Sequence, residues 1–441
     1  MRHYIKYLFF GSLLFLANSC REALDLTPVA ARTADGFLND PKNAVEAVNA
    51  CYYQLLRLQE FNENNHTHDY FFGDLTTFDS QIGSTPNDFS DLQRLTEWTM
   101  NNTNVPARTL WSVGYQGVHN ANYVITSLPD ATIDANLKSR LMGEAYFCRG
   151  YWYLRFATLF GNVPIVTTRL STTDFKDAKK GTIHDAFEQA VADFKKAAEL
   201  LPEKSAYSAA DIGRASKGAA RGFLARTLMY QIGFDKQNTH TWQEVLDETT
   251  KIINSSQYSL AANYATIFET EGENNNESIF ELQATSLGNA ERATDAIGSH
   301  SPTCQGVRTN NLLAGVIVWG WGYNNPTQDL VNEFEAGDPR LSSTVFGKPH
   351  NNGIVYGASF NYDIGTEWTP YHNRKAAKTP GDASGGFGWW RNGNNIRQMR
   401  YAEILLMHAE ALYNTNSEGP ARTYLNMIRK QSEKQHFCPR V

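Results

Sequence analysis

The sequence predicts a mainly α protein: tetratricopeptide-like helical hairpins forming a scaffold, interrupted by long irregular insertions containing short strands. Three observations predict it. Apolar residues recur at helical spacing in eight segments. Small residues stand where neighbouring helices must approach closely, and Pro stands at helix exits. Stretches 61–104, 263–325 and 340–396 carry no helical period and are rich in Asn, Gly, Thr and aromatics. Loops that long inside a compact domain are usually functional or hold short strands of their own.

The first helix is expected over 40–60, where Asp40-Pro41 supplies a cap and first-turn signal and Val45, Val48, Tyr52, Leu55 and Leu56 follow at helical intervals. Segment 105–128 aligns Leu110, Val113, Gly117, Ala121 and Val124 on one stripe. Segment 137–160 ends at Gly161 and Pro164. Further helices are expected over 182–201, 214–232 and 241–255. In the second of these Ala215, Gly218, Ala219, Gly222 and Ala225 make room for a neighbouring helix. A last pair covers 397–413 and 418–431, with Tyr401, Leu405, His408 and Leu412 on one face.

Composition narrows the partners. The 441 residues are 41% hydrophobic and 20% charged, enough apolar material for a large core. A net charge of −6 without a clustered basic footprint argues against nucleic acid. Nine Trp and twenty-one Tyr suit either core filling or surfaces whose flat rings meet the C–H face of a sugar. The five cysteines, at 20, 51, 148, 304 and 438, lack the short spacings of zinc or redox sites; Cys51 and Cys148 read as small buried hydrophobes.

The N-terminus has the layout of a secretory signal: basic Arg2, His3 and Lys6, an apolar run from Leu8 to Ala17, then Cys20. The run is shorter than the roughly 20 residues needed to cross a bilayer. Leu16-Ala17-Asn18-Ser19-Cys20 resembles a bacterial lipobox. Residues 1–19 are therefore expected to be a signal peptide, Cys20 a lipidation site, 20–40 a lipid-anchored linker and 41–441 a single domain. Acyl chains at Cys20 would contribute about 0.8 kcal/mol per buried methylene to anchoring.

Catalytic patterns are thin. Glu269, Glu271, Glu273, Glu277 and Glu281 supply carboxylates, but ETEGENNNESIFE reads as a solvated Asn-rich turn entering a short strand rather than a glycosidase pair. His66, His68 and Asp69 in NNHTHDY read as a solvated loop, since no further ligand supports a metal. No nucleophile elbow, P-loop or dinucleotide fingerprint is present. Neither catalysis nor a cofactor is expected.

Five segments, in order, resemble the SusD/RagB nutrient-binding outer-membrane lipoproteins. They are LWSVGYQGVHNANYVI (110–125), GEAYFCRGYWYLRFATLFGNVPIV (143–166), GRASKGAARGFLARTLMY (213–230), WGYNNPTQDLVNEFEAGDPRL (321–341) and RYAEILLMHAEAL (400–412), followed by YLNMIRK (424–430). The resemblance implies four tetratricopeptide-like pairs. It also implies an outer-membrane protein, lipid-anchored at the cell surface, that binds oligosaccharides and delivers them, without catalysis, to a SusC-like TonB-dependent barrel. The alternatives are a peptide-binding lipoprotein of the same type and, behind it, a glycoside hydrolase. The chain runs from YLNMIRK into EKQHFCPRV, so its C-terminus is expected to be shorter than the family pattern.

Ligand contacts are expected on the insertions. Trp319, Trp321 and Tyr323 in VIVWGWGYNNP are separated by glycines that let rings project, although Trp321 also belongs to the scaffold motif. Phe78 and Asp79 lie in DYFFGDLTTFDSQIGS, which resembles the family's acidic loop on the ligand side; Asp79 is suited to sugar hydroxyls and Asp74 to capping the turn. Trp98 is a further candidate that competes with a core role. Of Trp389 and Trp390 at most one can face a ligand, and Trp390 is the candidate.

Overall fold

The longest helix organises the chain. Residues Ala135–Leu159 bury Leu141, Phe147, Tyr151, Trp152, Tyr153 and Phe156 around almost the whole circumference, the mark of a helix enclosed by neighbours on every side. The structure is a computed structural model that describes residues 36–62, 65–83, 88–170, 176, 178–285, 298–308, 320–352, 354–355, 358–359, 369–377 and 392–433. Within it eight long helices follow one another: α1 (Pro41–Leu56), α2 (Val105–Ser127), α3 (Ala135–Leu159), α4 (Ile183–Leu200), α5 (Lys217–Phe234), α6 (Trp242–Asn254), α7 (Tyr401–Asn414) and α8 (Glu418–Glu433). Each packs on the next, giving four hairpins in one stack.

Local chemistry sets the helix ends. Asp40 accepts from the Lys42 amide ahead of α1, Asn104 from Ala107 ahead of α2 and Asp134 from Leu137 ahead of α3. Thr182 with Asp185, and Thr241 with Glu244, close reciprocal capping boxes on α4 and α6. α5 starts at Lys217 rather than 214 because Ser216 caps it, accepting from the Ala219 amide. Close packing of α2 on α3 depends on Gly117, where a Cβ would lie 2.0 Å from the indole nitrogen of Trp152.

Buried charges on the central helices are paired. Arg149 on α3 forks onto both carboxylate oxygens of Asp193 on α4, at 2.9 and 2.7 Å, and donates to Asn122 Oδ1 on α2 at 2.7 Å. Glu144 on α3 accepts from Arg214 at 2.8 Å. Cys51 and Cys148 are buried and unbridged, as expected, and burial pushes both thiols up. The candidate lipidation site Cys20, with Cys438, lies outside the described residues.

Among the described residues there are ten short strands: β1 (Gln59–Asn62), β2 (Asn65–His68), β3 (Ser80–Gln81), β4 (Ser278–Leu282), β5 (Asn325–Pro326), β6 (Val345–Gly347), β7 (Ile354–Val355), β8 (Ala358–Ser359), β9 (Tyr371–Asn373) and β10 (Ile396–Arg400). They form five two-stranded antiparallel pairs: β1–β2, β3–β5, β4–β10, β6–β9 and β7–β8. The β4–β10 pair corrects one expectation. Residues 397–400 are strand, not the start of a helix, because they pair with buried β4 and the Tyr401 amide donates to Glu277 O at 2.7 Å.

The acidic turn is also not solvated. Glu277 and Glu281 are buried; Glu277 pairs with Arg400 and accepts from the Gln431 amide on α8 at 2.7 Å, while Arg397 lies 3.7 Å from Glu273 and 3.9 Å from Glu281. These carboxylates tie the strand pair to the last hairpin. Gly218 faces Tyr258 and not a helix, whereas Gly222 lies against Met399 and against Ile404 of α7, so there a neighbouring helix does approach.

Arg149→Met would leave Asp193 buried without its partner. We expect a loss of about 3–5 kcal/mol, read as a lower melting temperature, and recovery of most of it in Arg149→Met/Asp193→Leu.

Candidate ligand-binding site

The site begins where the first insertion returns to the scaffold. A short helical turn, Asp69–Gly73, follows β2. His68 at its entrance is buried against Tyr70 and Phe71, and its Nε2 lies 3.4 Å from Cys304 Sγ. It is therefore a core histidine and not part of a solvated loop. Among the described residues no group of three or more His, Cys, Asp or Glu is placed to hold a metal. Asp69 is ion-paired with Arg155 of α3, and the Tyr151 hydroxyl reaches both Asp69 at 3.4 Å and Gln398 Oε1 at 2.8 Å.

Beside this junction opens a cleft of about 610 Å³, in the size range of small-ligand sites. Its floor comes from the scaffold helices, with Arg155 on α3 and Arg226 on α5, and from Arg397 and Gln398 on β10. Its walls come from the insertions, with Asp74, Gln305, Asn373, Lys375 and the Phe268 ring. The polar groups hold one another in place. Arg226 forks onto Glu403 at 2.7 Å and donates to Gln398 O at 2.9 Å. Gln305 Oε1 accepts from Asn324 at 2.7 Å and Asn373 at 2.9 Å. Lys375 sits over Phe268, 4.7 Å from the ring centre.

Asp74 does not cap its turn with its side chain. Its carboxylate accepts from Asn324 Nδ2 at 2.8 Å. Asp74 is exposed at the edge of the cleft, and crowding by the neighbouring walls raises its pKa above the ordinary 3.8, against the opposing pull of the Asn324 amide and Lys375. Such a wall of fixed amides, carboxylates and guanidinium groups offers donors and acceptors at many angles, which suits a ligand covered in hydroxyls.

Four residues beyond Asp74 the same segment reaches Phe78, at most about 14 Å further along the chain. The strap after Pro326 fixes it there: Thr327 Oγ1 donates to Phe78 O at 2.6 Å and the Thr327 amide to Asp79 O at 3.0 Å. Phe78 is 68% exposed and Trp98 59% exposed, with ring centres 5.0 Å apart in an edge-to-face corner. Asp79 is exposed beside them.

Trp98 ends the helix Ser90–Thr96 in an unusual way. Its amide donates to Leu95 O at 3.2 Å, the Thr99 amide donates to Arg94 O at 2.9 Å, and its φ is +54°. This is a Schellman end, in which the left-handed residue is usually glycine. A tryptophan there costs on the order of 1–2 kcal/mol of backbone strain. Its indole nitrogen donates to Thr76 O at 3.1 Å, so the exposed ring is also fixed in orientation.

The other expected site residues divide. Trp319 and Trp390 lie outside the described residues. Trp321 is half-buried, its ring 5.4 Å from that of Tyr323. Tyr323 is 6% exposed and packs into a second core with Tyr70, Phe71, Leu92 and Cys304. The neighbouring glycines serve the backbone: a Cβ at Gly320 would lie 2.2 Å from Thr303 O, and Gly322 adopts φ +68°. That close pairing turns Tyr323 inward. Sequence reasoning missed Arg155, Arg226, Arg397, Lys375 and Gln305. For Arg155 and Arg226 a signal existed in their immediate neighbours, YWYLRFATLF and GFLARTLM, where a cation flanked by apolar residues must find a partner when buried.

A helical stack that displays its insertions as one polar, ring-edged face defines a binding scaffold. Comparison with known proteins places it more closely. A family model described as "Starch-binding associating with outer membrane" matches residues 43–229, and the SusD family model matches residues 276–433. The chain belongs to the SusD/RagB family.

A SusD-like protein of Bacteroides ovatus is 22% identical over 333 residues, 73% of this chain, which spans 59% of that relative's length. The SusD-like protein P2 of Formosa agariphila is 24% identical over 435 residues, 95% of this chain and 80% of the relative. Among solved structures, a laminarin-binding SusD-like protein superposes with a TM-score of 0.77 at 24% identity, covering 89% of this chain and 84% of the other. Surface glycan-binding protein A of Bacteroides thetaiotaomicron, in complex with laminarihexaose, gives 0.75 at 22%, covering 89% and 82%. These structures share the fold.

The partial desolvation that raises the Asp74 pKa means that its ionisation costs a little stability once the pH exceeds that raised value, an effect that solvent at this exposed position keeps small. Asp74→Asn, which keeps an acceptor for Asn324, is expected to melt no lower than wild type at pH 8 and to show a weaker fall in melting temperature as pH rises. A lower melting temperature across the whole pH range would contradict this.

Proposed function

We propose that this chain is a cell-surface lipoprotein that binds oligosaccharides and delivers them to a TonB-dependent outer-membrane transporter without cleaving them. In this reading residues 1–19 are removed, Cys20 carries the lipid, residues 20–40 form the tether and the domain from 41 onward captures the ligand. Phe78 and Trp98 stack on sugar rings at the rim, and Trp321 is a further candidate contact. Asp79 and the cleft amides take the hydroxyls, while Tyr323 supports the rim from beneath. Trp319 and Trp390 are further candidate ligand contacts.

The observation that carries this reading is Trp98. A bulky ring held at a left-handed position, exposed and oriented by its own hydrogen bond, serves no packing need that glycine would not serve better. Family membership and the structural likeness to glycan- and laminarin-binding proteins support the choice of ligand. Among the described residues no helix is long and apolar enough to cross a membrane. Asp69, one of the two carboxylates lining the cleft, is ion-paired with Arg155, and this disfavours a glycosidase pair.

A glycan array probed with the chain lacking residues 1–20, followed by calorimetry on the hits, tests the proposal. Trp98→Gly with Phe78→Ala is expected to weaken binding about tenfold or more, at on the order of 1 kcal/mol per ring. Trp98→Gly alone is expected to melt no lower than wild type, since glycine relieves the strain. Unchanged affinity would misplace the site. Binding only to peptides would favour the peptide receptor, and release of reducing ends would contradict the non-catalytic reading.

A further inference from the structure

Helix α5 carries Arg226, Tyr230 and Phe234 at intervals of four, so the three side chains follow one face. Arg226 lies in the cleft, held by Glu403 and Gln398. One turn further Tyr230 is 41% exposed, and one turn beyond that Phe234 is 65% exposed. Their ring centres are 5.8 Å apart and their planes differ by 17°, so the two faces point the same way. Neither ring holds α5 in the stack; Phe223, Leu224, Ala225 and Leu228 do that. Parallel exposed rings on a scaffold helix therefore call for a partner.

What covers them is indicated by where they start. From Arg226 to Phe234 the helix rises about 12 Å, so the ring pair continues the cleft floor outward. Tyr230 also lies within electrostatic reach of Arg155: burial opposes that guanidinium's charge, and Asp69, Tyr151 and Tyr230 together maintain it. We propose that Tyr230 and Phe234 form an outlying stacking platform for the sugar units of a long, neutral oligosaccharide that leave the cleft past Arg226. The class is neutral because the cleft's cations are already balanced: Arg226 by Glu403, Arg155 by Asp69, Arg397 by Glu273 and Glu281, and Lys375 by the nearby Asp74. This rests on the reading of the cleft as a glycan site, and adds preference for chain length to it.

The test compares wild type, Tyr230→Ala/Phe234→Ala and Phe78→Ala/Trp98→Gly on an array of neutral oligosaccharides graded in length from disaccharides upward, with affinities measured for the hits. Alanine is the best helix former and the replaced rings are exposed, so the α5 variant should melt as wild type does. We expect it to bind the longest ligands about tenfold more weakly and the shortest equally well. The rim variant should weaken at every length. Long ligands unaffected by the α5 change, with the rim variant weakened, would overturn the platform and leave the glycan site standing. A folded wild type that binds no glycan on the array would overturn the site and the platform together.

Discussion

The ion pair between Arg155 and Asp69 is where the helical stack meets the loops that carry the site, and the cleft takes its shape from it. Arg155 projects from a helix buried on nearly every side, so its position is set by the core. Asp69 begins the turn that leads to Asp74 and on to Phe78. Arg226 acts in the same way toward β10, through Glu403 and the Gln398 carbonyl. Arg397 and Arg400 continue the row toward Glu273, Glu281 and Glu277. Pairs of this kind contribute little net stability when partly buried, because desolvation offsets attraction. Their geometric demand is strict, however, and that fixes loops which have little core of their own.

Preorganisation follows. A hydroxyl-rich ligand gains little per contact, so side chains that must be ordered on binding would consume the gain. Here Gln305, Asn324 and Asn373 already hold one another, and the Trp98 ring is already anchored on Thr76. The backbone strain at Trp98 is sustained by the Schellman hydrogen bonds around it. Stability is spent at one residue to present one ring.

The helices were legible because their signals are local. Asp40-Pro41, the run from Leu137 to Phe160 and the small residues of α5 each act through spacing, capping or size, and all eight expected helices are present with shifts of a few residues at their ends. The start of α7 was misplaced because pairing of β10 with β4, more than a hundred residues away, overrides the apolar period. Long-range pairing also decided the side chains. Tyr323 and Glu277 sit in loop-like sequence and are buried by partners from distant segments. Trp98, weighed as core, is exposed because its left-handed backbone turns it outward. Of the site, the Phe78–Asp79 loop was visible as a motif, whereas the cleft is assembled from seven separate stretches that no local pattern joins.

Hydrogen–deuterium exchange of the soluble chain, with and without a saturating oligosaccharide, tests the central claim that the scaffold-anchored insertions form the binding face. Slower exchange is predicted for amides of 69–79, around Trp98, and in 373–376 and 394–398, with no change in α1 or α6. Slowing confined to α1 or α6, with the 69–79 segment untouched, would contradict the account.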